Sequence, residues 1–207
     1  VHEPANSGEL VSGKLALIAL VSTAAAIIAL SRVVRTWQVT RRLAMSWQNG
    51  ATRIDLDTRV PTFLIDHPFP VMAVIGIVRP RMFIARQVFE ALNDGELKAA
   101  IAHENAHLSS YDNLKRTILQ ICRDLVVAPF GKELDRAWAE NVEEAADEFA
   151  AYNNPALALD LASALVKLAR IAPVQNAQTT FAGSYLFDAR CVDVTTRVRR
   201  LIKIADL

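Results

Sequence analysis

Residues 103 to 107 read His-Glu-Asn-Ala-His, in a chain of 207 residues that holds only four histidines. On a helix, positions i and i+4 lie about 40° apart around the axis, so His103 and His107 project from one face and can hold a single ion. Glu104 stands beside them, where a carboxylate can take a proton from water activated by that ion. This is the HExxH pattern, whose Glu serves as general base in zinc peptidases. The plainer alternative is a pair of histidines in a core helix.

A hydrolytic zinc site needs a third protein ligand and leaves the fourth position open. The stretch WAENVEEAADEFAA offers Glu140, Glu143, Glu144 and Glu148, and periodicity does not choose among them, since all four also suit a solvated helix surface. Within it Glu143 and Asp147 share a face at i, i+4, which suits Glu143 to a metal and Asp147 to a hydrogen bond with a ligand histidine. For the oxyanion of peptide hydrolysis the less regular C-terminal part supplies Tyr185, Arg190 and Arg197 as candidate donors. His67 stands before Pro68 with no partner at metal spacing and reads as a turn residue.

These residues must be held by elements, and the elements can be read. Asn93 with Glu96 three positions on forms a capping box for the helix that carries the motif. Upstream, residues 52–88 alternate β-branched runs with prolines, which predicts two or three short strands with turns at His67-Pro68 and Arg79-Pro80. Downstream, helices are expected at 112–128, 133–152 and 155–171, a loop at 174–190, and a closing basic helix in DVTTRVRRLIKI. Asp112 is suited to capping the helix that begins at Asn113.

The N-terminal part differs in kind. Leu10 to Leu30 carries one charge, Lys14, and is long enough for the roughly 30 Å core of a bilayer. Glu3 and Glu9 precede it while Arg32, Arg35, Arg41 and Arg42 follow, which by the positive-inside rule places the C-terminal side in the cytoplasm, with Trp37 and Trp47 as interfacial anchors. The expected organisation is an extracytoplasmic stub at 1–9, a transmembrane helix at 10–34 in contact with lipid, a juxtamembrane linker at 35–54 and one catalytic domain at 55–207. The chain opens on Val1, which reads as a processed or truncated product. Lys and Arg total 23 against 22 acidic residues, so a net charge of +1 argues against direct nucleic-acid binding. Two cysteines, Cys122 and Cys191, without CxxC spacing, suggest neither a disulfide framework nor a thiolate zinc knuckle.

HENAHLSSYDNL, followed by a Trp-containing helix with EEAAD, resembles the integral-membrane gluzincin metallopeptidases, specifically the BlaR/MecR-type sensor-transducers and, more distantly, the HtpX and CAAX-prenyl-protease group. DHPFPVMAVIGIVRPRMFIA is similar to the strand segment that precedes their metal helix, and TTRVRRLI is a fainter echo. The resemblance spans about residues 55 to 150. It implies one Zn2+ per chain on His103, His107 and Glu143, with Glu104 as catalytic base, Asp147 in the E-x-x-x-D register and Asp112 at the family's Asp five residues past the second His. It also implies an α+β, mainly helical fold: an N-terminal transmembrane helix, then a minigluzincin-like domain with a small β-sheet over the HExxH helix. The strand from Val71 to Val78 would be the sheet edge on which an extended peptide pairs.

The function expected is a single-pass inner-membrane zinc endopeptidase facing the cytoplasm, cutting a protein there or itself. By the same resemblance a transcriptional repressor is a candidate substrate. Its main competitor is a non-proteolytic signalling module whose metal only stabilises a domain that binds a cytoplasmic regulator. A membrane scaffold with a fortuitous HExxH requires several coincidences.

Overall fold

The computed structural model describes residues 13–125, 131–152, 154–172, 183–185 and 194–206. Most of them are helical. Helix α1 (Gly13–Gln48) leads into strands β1 (Thr52–Ile54), β2 (Thr62–Ile65), β3 (Met72–Ile75) and β4 (Arg81–Ala85). Helices α2 (Arg86–Ala91), α3 (Asp94–Ser109), α4 (Asp112–Leu125), α5 (Gly131–Ala151) and α6 (Pro155–Ile171) follow, then strand β5 (Gly183–Tyr185) and helix α7 (Val194–Ala205).

The strands form one mixed sheet in the order β1-β2-β4-β3-β5, in which only β2 and β4 run parallel. Successive side chains of a strand point to opposite faces, and here both faces are apolar. Met72, Val74, Met82 and Ile84 enter the main core with α3, α5, α6 and α7, while Ala73, Ile75 and Phe83 turn to the other side and meet Leu43, Ala44 and Trp47 of α1. The sheet is therefore a middle layer between the end of α1 and the helical domain. Gly76 ends β3 with φ 108°, and a Cβ there would lie 3.0 Å from the Arg79 carbonyl oxygen, so the β3–β4 turn requires glycine.

The expected fold class holds, and several boundaries move. Within the stretch expected as a linker, residues 35–48 are helical and Thr52–Ile54 is a strand. No proline or glycine interrupts the run from Ser31 to Gln48, so α1 continues unbroken until Asn49 and Gly50, the latter at φ 90°, and Thr52–Ile54 then joins the sheet. Trp47 is accordingly no interfacial anchor, because it packs edge-on against Phe83 and His67 at 5.5 and 5.2 Å. Trp37 stays exposed, with the Arg41 guanidinium 5.3 Å from its ring.

Residues 52–88 hold four short strands rather than two or three. The 174–190 loop contains β5, which pairs Gly183–Tyr185 with Ala73–Ile75. That pairing corrects the edge expected at Val71–Val78: β3 has β4 on one side and β5 on the other. The 1–9 stub, Arg190 and Cys191 lie outside the described residues.

α1 is long and apolar enough to cross a membrane, and Leu15, Leu17, Ile18, Leu20, Val21, Ile27, Ile28 and Leu30 are all exposed along it.

Candidate metal centre

Helix α3 starts where the capping box puts it. The Asn93 side chain accepts from the Glu96 backbone N–H, and the Asn93 N–H donates to Glu96 Oε2, each at 2.9 Å. Glu96 is buried, and α6 secures it: Ser163 Oγ and Lys167 Nζ each donate to its carboxylate at 2.6 Å. The small residues Ala99, Ala100 and Ala106 are buried on α3, as are Ala158, Ala162 and Ala164 on α6, which lets these helices approach closely. The motif residues are thus fixed on a rigid element deep in the domain.

Within it His103, Glu104 and His107 are all buried. The two imidazoles meet with Nε2 atoms 3.1 Å apart and rings nearly perpendicular. From α5, Glu143 places Oε2 3.4 Å from His103 Nε2 and Oε1 3.6 Å from His107 Nε2. Ligand atoms around a tetrahedral ion with bonds of about 2.0–2.2 Å stand about 3.3–3.6 Å apart, so the three side chains are already close to a chelating arrangement. Glu143 Oε2 is buried and makes no aligned hydrogen bond, with His103 Nε2 and Arg197 Nη1 as its near neighbours. The residues present fit a metal ion.

Each imidazole has a carboxylate at its other nitrogen. His107 Nδ1 is 2.8 Å from Asp112 Oδ2, at the start of α4. His103 Nδ1 is 3.0 Å from Asp147 Oδ1 on α5, although not in hydrogen-bond alignment. Such partners favour a proton on Nδ1 and leave the Nε2 lone pair for a metal. Asp112 is brought there by the sharp α3–α4 corner, where Tyr111 adopts φ 55°, unusual for a tyrosine. Asp112 therefore faces the histidine from the first position of α4.

The electrostatics follow from burying this many charges together. Burial alone would lower the His103 pKa, but Asp147 and Glu143 outweigh it and hold it up at about 9. His107 is lowered, chiefly by burial and by the neighbouring His103. Glu104 is pushed up to about 8, mainly by burial, with the Glu143 charge adding to it. For Glu143 and Asp147 burial works upward, yet His103 and Arg197, joined at Glu143 by His107, hold both below the ordinary carboxylate range.

Arg197 sits elsewhere than an oxyanion donor would. It is buried on α7 and faces α5, with Nε and Nη2 donating to Asp147 at 2.8 and 2.6 Å and Nη1 2.9 Å from Glu143 Oε2. A sign was available in the sequence, since Arg197 is four residues from Leu201 and so shares its face, and both are buried. Tyr185 lies in β5 opposite Ala73. Of the other α5 carboxylates, Glu140 pairs with Arg136 and Glu144 with Arg200, while Glu148 is exposed.

Two further contributors had no sequence signal because they act through the backbone. The Val74 N–H of β3 donates to Glu104 Oε2 at 3.2 Å, and Asn113 Nδ2 donates to the carbonyls of Val74 and Gly76. Beside His107 opens a cavity of about 70 Å³, whose lining includes Val74, Ile77, Pro80, Leu108 and Leu114.

A sequence model of peptidase family M48 matches residues 38–185, which includes α3, α5 and the whole sheet. No curated protein matches the chain.

Proposed function

This chain belongs to peptidase family M48, a family of metallopeptidases, and from that premise we propose that it is a membrane-anchored zinc endopeptidase acting on a cytoplasmic protein or on itself. The observation that carries the reading is the convergence of His103, His107 and Glu143 beside Glu104. Two imidazoles and one carboxylate form an open ligand set of the catalytic kind, unlike the closed thiolate-rich sets of structural zinc sites. Zinc held there would supply Lewis acidity, polarising the scissile carbonyl and lowering the pKa of water.

The chain's own residues do the rest. Glu104 is anchored through Oε2 by the Val74 N–H, and its buried Oε1 has no hydrogen-bond partner. It is placed to accept a proton from the attacking water at Oε1 and return it to the leaving amine. Asp112 holds the ring of His107 through its hydrogen bond at Nδ1, and Asp147 lies 3.0 Å from Nδ1 of His103. The cavity beside His107 suits an apolar side chain of the peptide.

The exposed apolar helix and the Arg32–Arg42 basic segment support an inner-membrane anchor with the domain on the cytoplasmic side. HENAHLSSYDNL and EEAAD support a sensor-transducer assignment within this chemistry, and hence a regulatory protein, such as a transcriptional repressor, as substrate.

The test compares wild type, Glu104→Gln and His107→Ala for zinc content and for proteome-wide cleavage. We expect Glu104→Gln to keep its zinc and lose at least about 10²- to 10⁴-fold in cleavage rate, and His107→Ala to lose both. A wild-type chain without zinc under reducing conditions would sink the reading. Zinc retained with no cleavage difference between wild type and Glu104→Gln would put the metal-stabilised signalling module in its place.

A further inference from the structure

We propose that Arg197 is a positioning residue for the metal ligands, and that it makes docking of the C-terminal helix α7 and metal binding one coupled event. The proposal rests on the reading that His103, His107 and Glu143 hold zinc.

Three nitrogens of one guanidinium face three oxygens of two carboxylates. Nε and Nη2 take both oxygens of Asp147 at 2.8 and 2.6 Å, and Nη1 reaches Glu143 Oε2 at 2.9 Å. Those carboxylates stand one turn apart on α5, and each touches His103: Asp147 at Nδ1 and Glu143 at Nε2. Arg197 thus acts on two of the three ligands, on Glu143 directly and on His103 through Asp147. The third, His107, is served from α4 by Asp112.

Burial makes the arrangement consequential. Arg197 is 3% exposed and Asp147 0%, so neither charge has water in place of the other. Without the fork, two buried carboxylates on one face of α5 would repel one another, and Glu143, with three side-chain torsions, would lose the contact that selects its rotamer. Arg197 is brought there by α7, whose Leu201 is fully buried in the main core, so the fork arrives only when α7 is docked.

Charge and geometry make opposite predictions, which renders the proposal decidable. As a bare positive charge close to the ligands, Arg197 would oppose a dication, and its removal would tighten zinc binding. As a planar fork that holds two carboxylates in register, its removal loosens zinc binding. A lysine keeps the charge and loses the fork, so Arg197→Lys separates the two.

Zinc affinity is measured on the full chain in mild detergent by competition with a chromophoric chelator, and Co2+ substitution reports ligand geometry in the visible spectrum. We expect Arg197→Lys to bind zinc about 10- to 100-fold more weakly and to give an altered Co2+ spectrum, with Arg197→Gln weaker still. Wild-type affinity and spectrum in Arg197→Lys, or tighter binding in Arg197→Gln, overturns the proposal. No zinc in the wild-type chain defeats the underlying reading instead, and this proposal with it.

Should the variants not fold, the wild-type chain answers. If ligand positioning and α7 docking are coupled, zinc must stabilise α7 as α7 stabilises zinc. Amide exchange across residues 194–205 is then at least about tenfold slower with zinc than after chelation. Equal exchange in the two states overturns the coupling.

Discussion

His103 and His107 each lean on a carboxylate from another helix, and those carboxylates determine what the histidines can do. An imidazole with a proton held on Nδ1 offers Nε2 to a metal, whereas one free to choose its tautomer does so only part of the time. Asp112 tests this most directly, because its sequence position suits either a helix cap or a histidine partner and its side chain is found 2.8 Å from His107 Nδ1. Asp112→Asn keeps the size but loses the charge that favours the Nδ1 proton. Zinc affinity in the chelator assay should fall about 10- to 100-fold with little loss of helicity by circular dichroism. Unchanged affinity would assign Asp112 to the helix end alone. The sequence shows that an Asp stands five residues past His107, but which way it faces depends on the α3–α4 corner, where Tyr111 takes a backbone conformation that no local propensity would suggest.

Helix α3 is held at its start by a motif that was legible and at its side by contacts that were not. Asn93 and Glu96 are three residues apart and declare a capping box by themselves. Ser163 and Lys167 complete the arrangement from about seventy residues downstream, and nothing in the local pattern announces them. Burial alone would raise the Glu96 pKa, but Lys167, Ser163 and the Asn93 N–H hold it below its ordinary 4.5. A carboxyl depressed in the folded state stabilises the fold above its unfolded pKa, and that contribution is lost as pH falls through the folded value. Lys167→Met should therefore destabilise the domain at pH 7 by about 1–3 kcal/mol, with the gap from wild type narrowing below pH 4, as measured by thermal unfolding across that range. A constant gap from pH 7 to pH 3 would mean that Lys167 contributes packing rather than charge. The β3 edge teaches a related lesson: its continuous apolar run marks a buried strand, yet whether a strand lies at the edge depends on a partner more than a hundred residues away.

At a rise of 1.5 Å per residue, α1 is about 54 Å long, well beyond a hydrocarbon core of roughly 30 Å. Its apolar start can span a bilayer while its far end, through Leu43, Ala44 and Trp47, forms one wall of the domain. On the proposed reading, anchor and catalytic domain would share one continuous helix, which would hold the site at a set distance from the bilayer. Orientation can be read at Cys122, which is exposed on α4. With Cys191 replaced by Ser, a membrane-impermeant maleimide should label Cys122 in inside-out vesicles and leave it unlabelled in intact cells. The reverse pattern would place the domain outside.

The HExxH face, the capping box and the apolar span could be read in advance, because each is a relation between residues within one or a few helical turns, where backbone periodicity dictates which side chains meet; the E-x-x-x-D register was legible only through the family resemblance, since periodicity left four glutamates open. Arg197 beneath Glu143 and Asp147, Lys167 on Glu96, β5 against β3 and the Val74 N–H on Glu104 are relations between elements. They follow from how apolar faces pack and from which buried charges then find partners, and no repeat along the chain encodes them.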